Sequence, residues 1–199
     1  MDWRALGVSL CSFLVACGDG RDGDRSDDPP AEDPIGTVDG VALEVRDALG
    51  IIDSFEYQGT KYATFRVALA DRGGICSQAA EHTFPGDVVV LVMEVQKHSL
   101  AQQPPPIQVG RYDLGTSIDD EGNLQEVVAR FSSTDDACQE QISGTGLADE
   151  GTITIDEIAD DGARGSFTLR FGADAVNGSF DVPLCPVELP FQSTCAKGP

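Results

Sequence analysis

The sequence predicts an all-β domain, an antiparallel β-sandwich or flattened barrel of about eight or nine strands, closed by disulfides. Three observations predict this fold class. Apolar and polar residues alternate over short runs, turn-forming residues separate these runs at regular spacing, and no long stretch keeps the apolar stripe of an amphipathic helix. Because antiparallel strands with one buried face produce a period of two, the alternation indicates stacked antiparallel sheets.

The first predicted strands follow residue 37. In "VALEVRD" (residues 41–47) and "KYATFRVALA" (residues 61–70) every second residue is apolar, with Phe65 and Val67 on the buried face of the second run. The stretch "DVVVLVMEV" is apolar without interruption from Val88 to Met93, which predicts a strand covered on both faces. The segments "EVRDALG" and "SQAAEH" are each compatible with a helical turn.

Five further runs continue the series, and the last three predict a β-meander. They are "IQVGRYDLG", "LQEVVARFSS", "GTITIDEI", "RGSFTLRF" and "NGSFDVPLC". The triplet "GSF" occurs at residues 165–167 and again at residues 178–180. We interpret it as two adjacent strands that share a bulge glycine and a core phenylalanine.

The amino terminus combines a short apolar run with a cysteine. After Arg4, the uncharged residues 5–16 have the length of a signal-peptide core and are too short to cross a membrane. They end in Leu14, Val15, Ala16 and Cys17. This tetrad resembles the lipobox of bacterial lipoproteins, in which the cysteine thiol is linked to diacylglycerol and the chain is cut before that cysteine. The resemblance implies a signal peptide over residues 1–16 and lipidation of Cys17, with membrane lipid as partner.

Residues 17–37 are predicted to form a lipidated cysteine followed by a disordered tether. The stretch "GDGRDGDRSDDPPAEDPIGT" is rich in Asp, Gly and Pro and cannot bury enough apolar surface to fold. The folded domain is assigned to residues 38–199. The lipoprotein sorting rules known for enteric bacteria favour the outer membrane when glycine follows the lipidated residue, as Gly18 does here, and leave the periplasmic or surface side open.

Four cysteines remain in the predicted mature domain: Cys76, Cys138, Cys185 and Cys195. An even number in an exported chain predicts disulfides, and the close C-x2-C spacing of a zinc site does not occur. Three connectivities are possible. We predict Cys185–Cys195, which closes a short proline-containing loop, together with Cys76–Cys138.

Composition and motifs argue against several activities. A net charge of −21 opposes binding to nucleic acid. The chain has no G-x-S-x-G elbow, HExxH, P-loop or dinucleotide fingerprint, so no catalytic residue, metal ligand or cofactor is assigned. Of the two histidines, His98 is predicted to lie in an exposed loop. The acidic triplet of residues 119–121 is interpreted as a solvated turn.

The ending "GSFDVPLC" behind a lipobox and an Asp/Pro linker resembles all-β envelope lipoproteins of environmental Gram-negative bacteria. That resemblance implies location and fold and brings no activity. We therefore expect an envelope lipoprotein anchored at the outer membrane and acting as a non-catalytic binding, adhesion or structural module, with a protein or glycan ligand. The alternatives are a hydrolase of envelope or extracellular polymers that uses acidic residues, and a calcium-dependent adhesion module.

Overall fold

The computed structural model describes residues 35–81, 83, 86–142 and 146–187. Cys17, the predicted tether up to residue 34, His82 and Cys195 lie outside the described residues. The elements, in chain order, are β1 (Thr37–Val38), β2 (Val41–Ala42), β3 (Asp47–Tyr57), β4 (Thr60–Ala70), α1 (Ile75–Ala80), β5 (Val88–Ser99), β6 (Gly110–Asp113), β7 (Gly115–Ile118), β8 (Leu124–Thr134), β9 (Glu150–Ile158), β10 (Gly162–Phe171) and β11 (Asp174–Pro183).

Nine of these strands form two antiparallel sheets, which confirms the predicted sandwich. The five-stranded sheet has the order β3-β4-β5-β8-β7 and the four-stranded sheet the order β11-β10-β9-β6. β1 and β2 form a separate small ribbon. Within the described part of the chain the two sheets stay distinct, so the flattened-barrel alternative does not apply.

The main core lies between the two sheets. Phe65, Leu91 and Phe131 point inward from the five-stranded sheet, while Ile153 and Leu169 point inward from the four-stranded sheet; all five are at most 1 % exposed. Burial of this alternating set accounts for the stacking of the sheets, at roughly 1.5–3 kcal/mol for each large apolar side chain.

β5 is buried on both faces, as its uninterrupted apolar run predicts. Leu91 and Met93 belong to the core between the sheets, whereas Val90 and Val92 belong to a second cluster on the outer face of the five-stranded sheet. The covering layer on that outer face consists of α1 and the chain that follows β11. Asp47 fixes the helix there, because its carboxylate accepts hydrogen bonds from the N–H groups at the start of α1.

The two "GSF" triplets are partners in the meander of β9, β10 and β11. Gly165 lies opposite Phe180, and Phe167 lies opposite Gly178. Each glycine thus makes room for the phenylalanine of the other triplet, and a Cβ at Gly165 would lie 2.4 Å from the Phe180 ring. Phe167 and Phe180 are both buried in the core, as predicted. The register with β9 shifts between Arg164 and Gly165, whereas β10 and β11 pair without a shift at Gly178, so an irregularity accompanies the first glycine only.

Two predictions for the amino-terminal part of the domain are wrong. The strand expected over residues 41–47 ends at Ala42, and the helical turn expected in "EVRDALG" is instead the beginning of β3. The chain leaves the ribbon here and joins the sheet when the Arg46 N–H donates to the Ala70 carbonyl at 2.8 Å. Pairing with β4 therefore decides the conformation of a segment whose local pattern is ambiguous. The helical turn expected in "SQAAEH" is present within α1.

The predicted disulfide pairing is also wrong. Cys76 is bonded to Cys185, with 5.7 Å between the Cα atoms, so neither Cys76–Cys138 nor Cys185–Cys195 forms. The reason is the position of α1, which places Cys76 over the outer face where the chain after β11 returns; there the Cys185 N–H donates to the Gly50 carbonyl at 2.7 Å. Cys138 is disulfide-bonded as well.

A search of the described residues for a helix long and apolar enough to span a membrane found none.

Candidate functional site: the open half of the five-stranded sheet

The outer face of the five-stranded sheet consists of two halves. The covered half lies under α1 and residues 185–187, and its strand residues are buried: Leu49, Ile51, Ala68, Ala70, Val88, Val90 and Val92. The open half lies further along the same strands, toward the end of β5. Side chains of the open half are half-buried or exposed apart from that of Thr64, although they belong to the same strands.

A row of aromatic and aliphatic side chains crosses the open half. Each of the five strands contributes one residue to the row, and this residue is the direct register partner of the one on the neighbouring strand. We call this row the cross-strand stripe. Its members, in order across the sheet, are Phe55, Tyr62, His98, Leu124 and Ile118. Four strand spacings of about 4.8 Å give it a length of roughly 19 Å. Leu124 is 38 % exposed and Ile118 is 67 % exposed.

The aromatic part of the stripe consists of three neighbouring rings, of which two are stacked and one is tilted. The Phe55 and Tyr62 rings are nearly parallel, at 9°, with centroids 4.8 Å apart. The His98 ring follows with its centroid 4.7 Å from that of Tyr62 and its plane tilted by 53°. Phe55 also packs against the cluster of the covered half. Phe55 and Tyr62 therefore use ring faces on each other, a contact that stabilises aromatic pairs beyond the burial of their area.

A polar row runs beside the stripe, one register step toward the covered half. It consists of Asp53, Thr64, Gln96, Glu126 and Thr116. The Glu126 carboxylate lies 3.7 Å from Nε2 of His98. Burial lowers the pKa of His98 below its usual 6.5, an effect that Glu126 and Glu94 oppose in part. The lowered pKa favours the neutral imidazole at pH 7, with the Glu126 carboxylate beside it.

A buried ion pair marks the boundary between the two halves. Glu94 is 2 % exposed, and both of its carboxylate oxygens accept hydrogen bonds from one guanidinium nitrogen of Arg66, at 2.9 and 3.0 Å. The Thr64 hydroxyl donates to Glu94 at 3.0 Å, and the Gln96 amide also donates to it. A buried carboxylate requires such partners, so this group holds the side chains between the stripe and the covered half in place.

Acidic side chains flank the stripe, and the nearby cations have partners within the protein. The Lys61 ammonium donates to the Ala101 carbonyl at 3.3 Å. The Lys97 ammonium lies 3.1 Å from the Asp119 carboxylate, and both side chains are largely buried. Partial burial acts to raise the pKa of Asp119, but hydrogen bonds from Asn123 and from Lys97 hold it at about 2. Asp120 and Glu121 are exposed in the same turn, next to Ile118 and Leu124. The turn was predicted as solvated, and Asp119 instead has a structural role in it.

The outer face of the four-stranded sheet is different in character. Short hydroxyl side chains cover its middle, for example Thr152, Ser166 and Thr168, and ion pairs such as Arg164–Asp181 and Arg170–Glu150 lie around them. The apolar residues of β10 face inward. This face resembles an ordinary solvated sheet surface, whereas the open half of the five-stranded sheet does not.

The predicted site residues and the candidate site overlap little. Cys76 and Cys185 hold the cover beside the stripe, and Cys17 and Cys195 lie outside the described residues. His98 was predicted in an exposed loop, which is wrong, because it is a half-buried residue of β5. Sequence reasoning missed the stripe since its members come from five strands. The signal present in the sequence was the pair Phe55 and Tyr62, which lie at equal distances from the turn at residues 58 and 59 and so become register partners.

In the described part of the chain no group of three or more His, Cys, Asp or Glu side chains is arranged to hold a metal ion. No protein-family model matches the chain, and no curated protein and no solved structure matches it significantly.

Proposed function

We propose that the protein is an envelope lipoprotein, held at the outer membrane through acylated Cys17, whose β-sandwich is a non-catalytic binding module. The cross-strand stripe is the proposed binding surface. Support comes from the contrast between the exposed faces of the two sheets. One face is covered by hydroxyls and ion pairs, whereas the other exposes Leu124 and Ile118 in line with a row of three rings. A contiguous apolar row on a sheet face is typical of an interaction site.

The rigid mounting of the stripe also supports this role. Its members lie on strands rather than loops, and the buried pair Arg66–Glu94 and the disulfide Cys76–Cys185 fix the neighbouring surface. A preorganised surface loses little conformational entropy when a partner binds. The acidic tether predicted after Cys17 extends the module away from an anionic membrane surface.

The anchor is tested by exchanging Cys17 for serine in the native host. We expect the wild type to incorporate labelled palmitate and to sediment with membranes, and the Cys17→Ser variant to do neither. A variant that remains in the membrane fraction would contradict the anchor.

The binding surface is tested by photo-crosslinking in intact cells. A crosslinking amino acid at position 118 or 124 is expected to give the same discrete adduct. One at position 109 serves as the control, because Val109 is 56 % exposed and directly precedes β6 of the other sheet. Equal adducts from all three positions, or none from positions 118 and 124, would contradict a binding role for the stripe.

A further inference from the structure

We infer that the partner of the stripe is a basic amphipathic polypeptide segment, one that carries lysine or arginine beside aliphatic side chains. This inference rests on the proposed binding role and adds the chemistry of the ligand. Ring geometry, the nature of the stripe's exposed end, and charge support it.

The stacked rings disfavour a sugar ligand. A sugar binds an aromatic side chain by lying on an open ring face, and here the faces are already occupied. The Phe55 and Tyr62 rings stack with centroids 4.8 Å apart, and Phe55 packs against the cluster of the covered half. The His98 ring, tilted by 53°, lies with its centroid 4.7 Å from that of Tyr62. Rings whose faces are occupied offer their edges, which aliphatic and aromatic side chains of a peptide contact well.

The most exposed end of the stripe is aliphatic. Ile118 and Leu124 are direct register partners and are the most exposed members of the stripe. Branched aliphatic side chains offer no hydrogen bonds to the hydroxyls of a sugar and instead gain free energy by excluding water, at about 25 cal/mol per Å² of apolar surface. The complementary surface is therefore a run of apolar side chains.

The acidic surroundings of the stripe favour a positively charged partner. Asp120 and Glu121 flank the aliphatic end, and Glu126 lies beside His98, whose lowered pKa favours the neutral imidazole at pH 7. Arg66 and Lys97 form ion pairs within the protein, with Glu94 and Asp119 respectively. The Lys61 ammonium, next to Tyr62 in sequence, donates a hydrogen bond to the Ala101 carbonyl. With a net charge of −21 on the whole chain, the stripe attracts cationic segments and repels acidic ones.

The length of the stripe sets the size of the segment. About 19 Å corresponds to roughly six residues of extended chain or roughly thirteen residues of helix. A partner of this length presents three or four apolar side chains along the stripe and places its cations over the flanking acids. Basic amphipathic segments of this kind are typical ligands of acidic surfaces with exposed apolar side chains.

The test uses the mature protein and three synthetic peptides of about thirteen residues that share one leucine pattern. Their other positions are lysine, glutamine or glutamate. Fluorescence anisotropy is expected to give a Kd at least tenfold lower for the lysine peptide than for the glutamine peptide. Added salt should raise the Kd of the lysine peptide, since exposed charges are screened. The glutamate peptide should bind weakest.

Variants assign the binding to the stripe. Ile118→Ser with Leu124→Ser should raise the Kd of the lysine peptide at least tenfold, and Glu126→Gln should raise it about threefold at low salt. Val109→Ser and Glu157→Gln are the matched controls, because both residues are exposed elsewhere. A circular dichroism spectrum of each variant confirms that it is folded.

Each alternative outcome overturns the inference in a recognisable way. Equal Kd values for the lysine and glutamine peptides, or unchanged binding by the Ile118/Leu124 variant, would exclude a basic ligand on the stripe. Stripe-dependent binding of soluble cello- or chito-oligosaccharides would assign the site to sugars. Self-association that the Ile118/Leu124 variant abolishes would assign it to a second copy. In all of these cases the photo-crosslinking experiment tests the binding role of the stripe independently of the chemistry of its ligand.

Discussion

The covered and open halves of the five-stranded sheet are built from the same strands and the same alternation, yet their outer faces differ. In the covered half, small and β-branched residues such as Ala68 and Val90 are buried by α1 and by the chain around Cys185. In the open half, rings and aliphatic side chains extend outward in a row. The difference shows that the burial of an outer sheet face depends on which chain segments pack on it. A short helix and the chain joined to it by the Cys76–Cys185 disulfide bury part of this face, and the remainder stays half-buried or exposed.

The largest expected loss of stability results from removing the disulfide that attaches α1 to the chain after β11. Replacing Cys76 and Cys185 with serine removes a bond that spans 109 residues of chain. Restriction of the unfolded chain by a loop of this size contributes on the order of 4–5 kcal/mol. Chemical denaturation should show a loss of about that size, with Ser77→Ala on the exposed side of α1 as the control. A loss below about 1 kcal/mol would mean that α1 holds its position without the disulfide.

The second largest loss of stability is expected from breaking the buried ion pair at the boundary between the two halves. Glu94→Ala leaves the Arg66 guanidinium, 13 % exposed, without its carboxylate, and the free energy of unfolding should fall by about 3–5 kcal/mol. The double exchange Glu94→Leu with Arg66→Met should recover most of this loss, because it removes both charges. Equal losses in the single and double variants would contradict a buried ion pair as the cause.

The third prediction compares the loss of stability when one isoleucine of the covered half and one of the open half are replaced with alanine. Ile75 of α1 is fully buried, so Ile75→Ala should cost about 2–5 kcal/mol. Ile118 is 67 % exposed, so Ile118→Ala should change stability by less than about 0.5 kcal/mol. Denaturation curves of the two variants measure the contrast. Similar costs would mean that Ile118 packs inside the protein and that the stripe is not an available surface.

The smallest expected effect is the pH dependence contributed by His98. Burial lowers its folded-state pKa below 6.5, so the unfolded chain takes up the proton first as pH falls. The stability contributed by neutral His98 is therefore complete above about pH 6.5 and is lost as pH falls through the folded-state pKa. Unfolding free energies at pH 7.5 and 5.5 should differ less in His98→Gln than in the wild type. An equal difference would contradict this assignment.

How far the sequence predicts the molecule depends on whether a feature is local. The run Val88–Met93 predicts a doubly covered strand, and β5 is one, because consecutive apolar residues exclude a solvated face. The "GSF" triplets predict paired strands for a similarly local reason. Residues 44–50 were mispredicted since their pattern fits a turn as well as a strand, and pairing of Asp47 with Ala70 decided between them.

The candidate site, in contrast, depends on residues that are far apart in the sequence. Its five side chains are separated by up to about seventy residues of sequence and meet through register alone, and a shift of one residue in any strand would turn a member to the other face. The disulfide pairing failed for the same reason. Cys76 meets Cys185 because α1 lies on the outer face, and no spacing between cysteines encodes that position.

The sequence by itself determined the period of two, the turns between strands, the doubly buried β5 and the strongly acidic character of the chain, since each depends on residues close together or on composition. The tertiary structure alone decided which half of the outer face is covered, which cysteines meet and which side chains form the stripe. These features depend on the register and stacking of strands far apart in the chain, and they are fixed only when the whole sandwich packs.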